Sequence, residues 1–213
     1  MIPIHHILHT LMGESARAGL RCAVVRTFGC NLACRWCDTP QAHVTPRSLG
    51  VGDIADIVAA TRAPIVLLTG GEPLIHEEAG ALCERLLALG LEVVVETNGS
   101  RDLSGLPGGV VKVMDIKPPS SGFEGTTDMR NLLLLGDGDE VKLVVADRED
   151  YLWARTTLRE RLAGCRAAVN LSPLMTGGMP SLVAQWMVED ALEARLNLQL
   201  HKILFPAGEH EVF

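Results

Sequence analysis

The chain has 213 residues and a formal charge of −7, and 47% of its residues are hydrophobic, which is a globular composition and not that of a disordered chain. Neither acidic nor basic residues form a long run, and this argues against direct binding of nucleic acid. The amino-terminal segment lacks a secretory signal and no apolar stretch reaches membrane-spanning length, so we expect a cytoplasmic protein.

Short β-branched runs alternate with helical patterns from residue 22 onward, and no repeat or linker interrupts them. We therefore expect a single domain over residues 1–213. The predicted strands cover 22–28, 64–69, 92–97, 110–116, 140–146, 167–172 and 197–204, and the predicted helices cover 51–60, 77–89, 150–162 and 181–195. Asp147 and Ser181 are expected just before helices begin, and Gly90 and Gly164 just after helices end.

This order of elements predicts a mostly parallel sheet with right-handed crossovers. A complete eightfold barrel takes about 250 residues, whereas this chain offers about six units with reduced helices. We therefore expect an α/β fold, a partial (open) TIM-like β/α barrel of about six parallel strands.

Polar clusters follow most of the predicted strands. They are GCN at 29–31, TGGEP at 69–73, ETNG at 96–99, DIKPP at 115–119, NLSP at 170–173 and QLHK at 199–202. Because the carboxyl ends of parallel strands meet at one mouth, we expect the functional site there.

The six cysteines are expected to be thiols and not a disulfide framework, because the chain shows no secretory signal. Cys83 and Cys165 are isolated and are expected to be ordinary core residues. Cys30, Cys34 and Cys37 form a CxxxCxxC loop after a strand. Three thiolates can hold three corners of a cubic iron–sulfur cluster and leave the fourth iron open.

Two other interpretations of this loop remain open on the cysteines alone. One is a zinc site completed by His5, His6 or His9, and the other is a redox pair of Cys34 and Cys37.

A second motif, LTGGEP at 68–73, follows the next predicted strand. Its two glycines let a ligand approach the backbone, and Glu72 offers a carboxylate to an amine. The alternative is a tight strand-to-helix connection with Glu72 near a helix start. Together the CxxxCxxC loop and the GGEP turn resemble the radical S-adenosylmethionine superfamily.

The resemblance implies that the three cysteines hold a 4Fe-4S cluster whose open iron binds the amine and carboxylate of S-adenosylmethionine, with GGEP contacting the amine. One electron from the cluster would cleave the cofactor to a 5′-deoxyadenosyl radical, which abstracts a substrate hydrogen.

Within this superfamily the chain resembles the 7-carboxy-7-deazaguanine synthase family. The matching segments are HTLMGESARAG at 9–19, RTFGCNLACRWCDTP at 26–40, LTGGEPL, VETNG, DIKPPSSG, VKLVV, NLSP and LQLHKILF. The resemblance implies a carbon–nitrogen lyase that converts 6-carboxy-5,6,7,8-tetrahydropterin to 7-carboxy-7-deazaguanine with loss of ammonia, in the biosynthesis of queuosine, archaeosine and other 7-deazapurines. It also implies Mg²⁺ beside the cluster and S-adenosylmethionine, a homodimer, and a flavodoxin or ferredoxin as electron donor.

The resemblance further implies roles for individual residues toward the substrate. The implied substrate-binding residues are Met12, Gly13, Glu14, Arg26, Thr69 and Phe213, and the implied catalytic residues are Glu14, Arg26 and His201. Arg26 and Glu14 suit a ligand with a carboxylate and a guanidine-like edge. The alternatives are a simple Glu14–Arg26 ion pair, a frayed end at Phe213 and a solvated strand edge at His201 and Lys202.

The cofactor side has its own set of implied residues. For S-adenosylmethionine these are Trp36, Gly71, Glu72, Lys117 and Ser172, and the implied Mg²⁺ ligand is Thr39, whose hard hydroxyl oxygen suits that ion. Alternatively, Asp38 and Thr39 only start a turn before Pro40. Lys117 and Ser172 could instead satisfy loop backbone, as polar groups at strand ends often do.

One departure from the family pattern is Met12-Gly-Glu-Ser15, where the family usually has Gln-Gly-Glu-Gly. The change removes a side-chain amide that could hydrogen-bond to the substrate. Two other functional classes stay open: a glycyl-radical-enzyme activase or another small radical enzyme, and a structural zinc or iron–sulfur module. The strand-end polar clusters argue against the module, because a structural module has no reason to line a cavity.

Overall fold

The structure of the protein, a computed structural model, describes residues 1–37 and 47–205. Within these ranges nine strands form one sheet in the order β3-β1-β2-β4-β5-β6-β7-β8-β9. The strands are β1 (Ile2–Leu11), β2 (Arg21–Thr27), β3 (Arg47–Leu49), β4 (Ile65–Gly70), β5 (Glu92–Thr97), β6 (Val111–Ile116), β7 (Glu140–Val145), β8 (Ala168–Pro173) and β9 (Arg195–Leu196). The helices are α1 (Val51–Ala60), α2 (Ala79–Ala88), α3 (Arg148–Glu160), α4 (Met179–Glu189) and α5 (Leu200–Leu204).

The centre of the sheet is a continuous parallel run. β2, β4, β5, β6, β7 and β8 pair in parallel, and the short β9 extends this run at one end. At the other end β1 pairs antiparallel with both β2 and β3. Because β3 and β9 pair on one side only within the described ranges, the sheet is open there. The expected partial barrel is therefore confirmed.

Alternation along each parallel strand separates an outer core from an inner face. On β7, Val141, Leu143 and Val145 pack in the core that includes residues of α3 and α4. Lys142 and Val144 instead line a cavity on the opposite face. This arrangement follows from the two-residue period of a strand, and it explains why the strand is almost entirely apolar in sequence although one lysine points inward.

The helices largely follow their predicted positions. α1 matches its prediction at both ends, and Asp147 caps α3 by accepting a hydrogen bond from the Asp150 amide. Gly90 and Gly164 adopt positive φ beyond α2 and α3, as their predicted roles require. The prediction for α4 is wrong at both ends, because the helix begins after Gly178, contains Ser181 and ends at Glu189.

The predicted strand at 197–204 is wrong. β9 ends at Leu196, and the chain then turns into the short helix α5. The turn forms because the Leu200 amide donates to the Gly13 carbonyl at 2.8 Å and the Lys202 amide to the Gln199 carbonyl at 3.1 Å, so these groups are not available to a strand ladder. His201 and Lys202 therefore lie on a helix and not on a strand edge.

The loop between β1 and β2, residues 12–20, connects distant parts of the sheet. Its Gly13 carbonyl accepts from Leu200, and its Ser15 amide donates to Asn197 Oδ1 at 3.2 Å. The Ala16 amide donates to the buried carboxylate of Glu140 at the start of β7. The β1–β2 loop thus joins one end of the sheet to β7 and to the segment after β9.

Within residues 1–37 and 47–205, no helix combines the length and the apolar character that crossing a membrane requires.

Candidate active site

A cavity opens at the carboxyl ends of the parallel strands. Each polar cluster that follows a predicted strand contributes to its lining, as shown by Cys30, Gly71, Asn98, Lys117, Ser172 and His201. These residues come from six different connections and meet because parallel strands end at the same edge of the sheet. The polar clusters therefore meet at one mouth, as expected, and a cavity lies there.

Cys30, Cys34 and Cys37 all line this cavity, and all three are free thiols. Burial raises the pKa of the Cys30 and Cys34 thiols, whereas the nearby Lys117 ammonium lowers it. A metal centre that takes thiolate ligands would remove the protons that burial retains. The donor set therefore fits an iron–sulfur cluster held at three corners.

The zinc alternative finds no support in the described part of the chain. There, no group of three His, Cys, Asp or Glu side chains is arranged to hold a single metal ion. His5, His6 and His9 lie on β1 and do not contribute to the cavity lining among the residues described. A cubic cluster has a different requirement, since each of the three thiolates binds a separate iron.

The GGEP turn is packed against the start of the cysteine loop. A Cβ atom on Gly71 would lie 1.7 Å from the Gly29 carbonyl oxygen, and one on Gly70 would lie 2.4 Å from the Thr27 amide nitrogen. The Glu72 amide donates to the Gly29 carbonyl at 2.9 Å. The two motifs therefore form one unit, and bare backbone at Gly70 and Gly71 lines the cavity.

Glu72 was expected to contact the cofactor, but its side chain is fully buried and does not reach the lining formed by the described residues. Its carboxylate accepts hydrogen bonds from the Leu74 amide, the Thr97 hydroxyl and the Asn98 amide. Burial raises the pKa of this carboxyl, and the three hydrogen bonds oppose the rise. Glu72 thus holds the end of β5 and caps the turn at Pro73–Ile75, as the helix-start alternative predicted.

Trp36, which lies between Cys34 and Cys37 in the sequence, lines the cavity. Its indole nitrogen donates to the Ser120 hydroxyl at 2.8 Å, and Ser120 in turn donates to the buried Asp150 carboxylate. The Lys117 ammonium lies 5.4 Å from the Trp36 ring centroid. These contacts fix the indole plane against the 117–121 connection, so the ring can serve as a flat wall for a bound ligand.

Two polar atoms in the lining residues are buried and have no hydrogen-bond partner among the residues described. They are Asp115 Oδ1 and Ser172 Oγ. The other Asp115 oxygen accepts from Lys117 at 3.0 Å. Unsatisfied buried polar atoms in a cavity are expected where a ligand supplies the missing partners, so this end of the cavity fits a polar cofactor.

The same cavity also holds a network of charged and polar groups, which adjoins Asp115 because Lys142 Nζ lies 3.8 Å from Asp115 Oδ2. Lys142 contacts Glu14 Oε2 at 3.0 Å and also pairs with Glu96 Oε1. Gln199 donates to Glu14 Oε1 at 2.9 Å, and Thr69 donates to Glu96 Oε2 at 3.1 Å. The ion pair found for Glu14 is thus with Lys142, and not the Glu14–Arg26 pair considered from the sequence.

Lys142, Glu96 and Gln199 were not among the predicted site residues. Two signals in the sequence pointed to them. Glu96 and Gln199 belong to the ETNG and QLHK clusters, and Lys142 interrupts the apolar run VKLVV. A lysine in a strand covered on both faces has to find partners for its charge, and here these lie across the barrel interior.

Gly13, Glu14, Arg26, Thr69 and His201 line the cavity, as predicted for substrate-binding or catalytic residues. Their roles stay predictions. Gly13 leaves space for His201, since a Cβ atom there would lie 1.9 Å from His201 Nδ1.

Met12 is a different case, because its side chain is 2% exposed and packs among the buried residues around Leu8 and Val24. Its amide and carbonyl bond to Leu20 and Gly19 within the β1–β2 loop. A direct contact of Met12 with substrate therefore has no support in this arrangement. The predicted roles of Thr39 and Phe213 lie outside the described residues.

Comparison with known proteins adds to this geometry. Residues 24–113 match the Radical SAM superfamily. A protein from Koribacter versatilis named 7-carboxy-7-deazaguanine synthase is 37% identical over 217 residues, which cover 95% of this chain and 96% of that protein. A protein of the same name from Chlorobaculum tepidum is 35% identical over 205 residues, covering 95% of this chain and 93% of that protein.

A solved structure shows the same fold. The crystal structure of QueE from Escherichia coli superposes with a TM-score of 0.75 at 20% identity, and the match covers 93% of both chains.

Proposed function

We infer the function from family membership. Relatives of matching length that are 35–37% identical show that the chain belongs to the 7-carboxy-7-deazaguanine synthase family. It is an enzyme of the radical S-adenosylmethionine type. We propose that it converts 6-carboxy-5,6,7,8-tetrahydropterin to 7-carboxy-7-deazaguanine with loss of ammonia, in the biosynthesis of 7-deazapurines such as queuosine or archaeosine. The observation that carries this proposal is a cavity lined both by the three thiols and by the charged network of Lys142, Glu14 and Glu96.

At the cofactor end, Cys30, Cys34 and Cys37 would hold the 4Fe-4S cluster. When bound, the cluster and S-adenosylmethionine supply the radical that removes a hydrogen atom from the substrate. The backbone at Gly71 lines the cavity and would lie against the cofactor amine. Ser172 Oγ, which has no hydrogen-bond partner among the described residues, would find one on the same ligand.

Trp36 and Lys117 would complete the cofactor site. Their support is that the Trp36 indole is fixed by Ser120 and that Lys117 stands beside it, so both groups are already oriented before a ligand enters. Groups that are held in place lose little conformational entropy on binding.

At the substrate end, Glu14 would accept hydrogen bonds from the aminopyrimidine edge of the pterin, and Arg26 would pair with its carboxylate. Both side chains line the cavity, as do Thr69 and His201. We also propose Thr39 as a ligand of a Mg²⁺ ion that binds the substrate carboxylate, and the carboxylate of Phe213 as a further contact with the pterin.

The wider setting is proposed from the resemblance and from a few features of the chain. All six cysteines are free, which suits a reducing cytoplasm. We propose one radical S-adenosylmethionine domain over the full sequence, a flavodoxin or ferredoxin as reductant, and a homodimer. Apolar side chains that are exposed on α4 and α5, such as Val188 at 82% and Ile203 at 53%, are candidates for the contact between subunits.

The decisive experiment is anaerobic. The cluster is reconstituted and reduced, S-adenosylmethionine, Mg²⁺ and the carboxy-tetrahydropterin are added, and products are followed by mass spectrometry. We expect 7-carboxy-7-deazaguanine and ammonia from the wild type and from Cys165→Ala, and neither product from Cys37→Ala. Cleavage of S-adenosylmethionine to 5′-deoxyadenosine without deazaguanine would refute the proposed substrate and retain the radical enzyme.

Two further measurements test the Mg²⁺ role of Thr39 and the activase alternative. Omission of Mg²⁺ is expected to lower turnover, and unchanged turnover in its absence would refute the role of Thr39. A glycyl-radical-enzyme activase would instead need a partner protein, so product formation from the pterin alone excludes that alternative.

A further inference from the structure

Lys142 occupies an unusual position, since it is the only basic residue of β7 and points into the barrel interior. Its side chain is 10% exposed. Its neighbours on the other face, Val141 and Leu143, are fully buried in the core. The backbone of β7 is paired on both sides, with β6 and β8, so the inward direction of Lys142 is fixed by the sheet.

Three carboxylates from three different elements surround its ammonium. Glu14 of the β1–β2 loop lies at 3.0 Å, Glu96 at the end of β5 is in direct contact, and Asp115 on β6 lies at 3.8 Å. Burial lowers the pKa of Lys142, but the three carboxylates raise it by more than burial lowers it. The net pKa of Lys142 lies well above its usual range. An ammonium carries three N–H donors, and Lys142 donates to Glu14 and Glu96 while Asp115 adds a third negative charge nearby, so the contacts assign this ammonium to the carboxylates and not to a ligand.

We propose that Lys142 is a positioning residue for the pterin: its ammonium balances the negative charges of Glu14 and Glu96 and aims both carboxylates into the cavity as hydrogen-bond acceptors. This inference rests on the proposed function, because it assigns the substrate to these two carboxylates. The chemical reason is that carboxylates crowded in a poorly solvated space repel one another when no cation separates them. Without the shared ammonium the two carboxylates move apart, and the N–H groups of an aminopyrimidine no longer meet two acceptors.

The remaining oxygens of both carboxylates show how the network sets their orientation. Gln199 donates to the second oxygen of Glu14, and Thr69 donates to the second oxygen of Glu96. Each carboxylate is therefore held at both oxygens, and both share the contact with Lys142. A change at Lys142 is expected to act on both at once.

The experiment measures the dissociation constant of the carboxy-tetrahydropterin at neutral pH, on protein with the cluster and S-adenosylmethionine bound. The variants are Lys142→Met, Lys142→Arg and the control Lys112→Met. Lys112 makes a similar part-buried ion pair with Asp139 at 3.1 Å, and it does not contribute to the described cavity lining. Binding of S-adenosylmethionine and the iron content are measured on the same samples.

We expect Lys142→Met to weaken pterin binding about tenfold to a hundredfold at neutral pH. Without the ammonium, Glu14 and Glu96 lose the donor that they share and repel one another, so they no longer present two acceptors to the pterin. Lys142→Arg, which keeps the charge, should lose less affinity. Affinity for S-adenosylmethionine should fall less than affinity for the pterin in every variant.

Three outcomes would overturn the proposal: equal pterin affinities of Lys142→Met and Lys112→Met, a loss in Lys142→Arg as large as that in Lys142→Met, or an equal loss of affinity for the pterin and for S-adenosylmethionine. If Lys142→Met does not fold, the shorter, neutral and polar variant Lys142→Gln takes its place. A wild type that binds no pterin refutes the proposed function itself, and is thereby distinguished from failure of the role of Lys142.

Discussion

At the scale of single residues, the close contact between Gly71 and Gly29 sets a strict limit on side-chain size. Gly71→Ala would place a methyl group 1.7 Å from a backbone oxygen, and backbone cannot move aside as a flexible side chain can. We expect the variant to lose most of its iron after reconstitution, because the shift displaces the start of the cysteine loop. Iron content per chain and the midpoint of thermal unfolding measure the effect.

Gly52→Ala is the matched control for that prediction. Gly52 is the second residue of α1, and a Cβ atom there meets nothing within 4 Å. Alanine in a helix interior stabilises by about 0.5–1 kcal/mol relative to glycine, so this variant should keep its iron and melt slightly higher. Equal iron content in the two variants would show that the Gly71 contact is not needed.

The buried Glu72 carboxylate gives a second prediction at this scale. Glu72→Gln keeps the shape but places an amide N–H₂ group among three donors, from Leu74, Thr97 and Asn98. At least one donor then loses its acceptor, and the free energy of unfolding should fall by about 1–3 kcal/mol. Chemical denaturation measures the change. Glu77→Gln, at an exposed position nearby, should have almost no effect, and equal stabilities would refute the role assigned to Glu72.

The sequence predicted which residue types meet at the mouth, but not which way each side chain turns. The three cysteines, Glu14 and Thr69 all line the cavity as expected. Glu72 does not, because three donors behind the turn compete for its carboxylate, and Met12 does not, because its apolar side chain gains more from the buried cluster around Val24. Such competition depends on neighbours that are distant in sequence.

At the scale of secondary-structure elements, β1 carries a group that responds to pH. Burial, the Arg26 charge and the neighbouring His5 lower the pKa of His6 from 6.5 to about 4. The Nδ1 atoms of His5 and His6 lie 2.6 Å apart, a hydrogen bond that needs one unprotonated nitrogen. Below pH 6.5 the unfolded chain therefore binds a proton at His6 that the folded chain does not bind until about pH 4.

It follows that part of the folding stability is lost as pH falls from 6.5 toward 4, and that this part depends on His6. His6→Asn should show a shallower decrease of the unfolding free energy over that interval than the wild type. Denaturant titrations at a series of pH values measure the slopes. His9→Asn, on the same strand, is the control, and a wild-type slope that persists in His6→Asn would refute the contribution of His6.

The elements themselves were predictable where their pattern is local. The six long parallel strands and α1 follow from apolar runs and caps that lie within each segment. β1 was not predicted, because its segment IPIHHILHTL contains three histidines and lacks clean alternation, and its strand geometry comes from pairing with β2 and β3. The segment 197–204 has a strand-like composition, but a hydrogen bond from Leu200 to Gly13 turns it into a helix.

At the scale of the whole molecule, Glu140 anchors the β1–β2 loop to the sheet. Its buried carboxylate accepts from the Ala16 amide at 3.0 Å and from Arg17 Nη1 at 3.2 Å. Glu140→Gln removes the charge and one acceptor, so the free energy of unfolding should fall by about 1–3 kcal/mol. Amide hydrogen exchange at residues 13–17 should become faster. Pterin binding should weaken as well, because Glu14 lies on the same loop, whereas the iron content should stay unchanged.

Asp137→Asn is the control for this prediction. Asp137 forms an ion pair with Arg166 in which both side chains are more than half exposed, and such pairs contribute only about 0–1 kcal/mol. Protection of residues 13–17 in Glu140→Gln equal to that in Asp137→Asn would show that the loop is held by other contacts.

The contacts of the β1–β2 loop also bear on the order in which the site is completed during synthesis. Glu14 and Gln199 are separated by 185 residues in sequence, and Ser15 and Asn197 by 182. A chain leaving the ribosome has already produced its cysteine loop, its GGEP turn and Trp36 with its Ser120 support long before residue 197 emerges, and contacts this far apart form slowly. The nascent chain can therefore bring its cysteine loop and GGEP turn together while Glu14 and Ser15 still lack their partners Gln199 and Asn197.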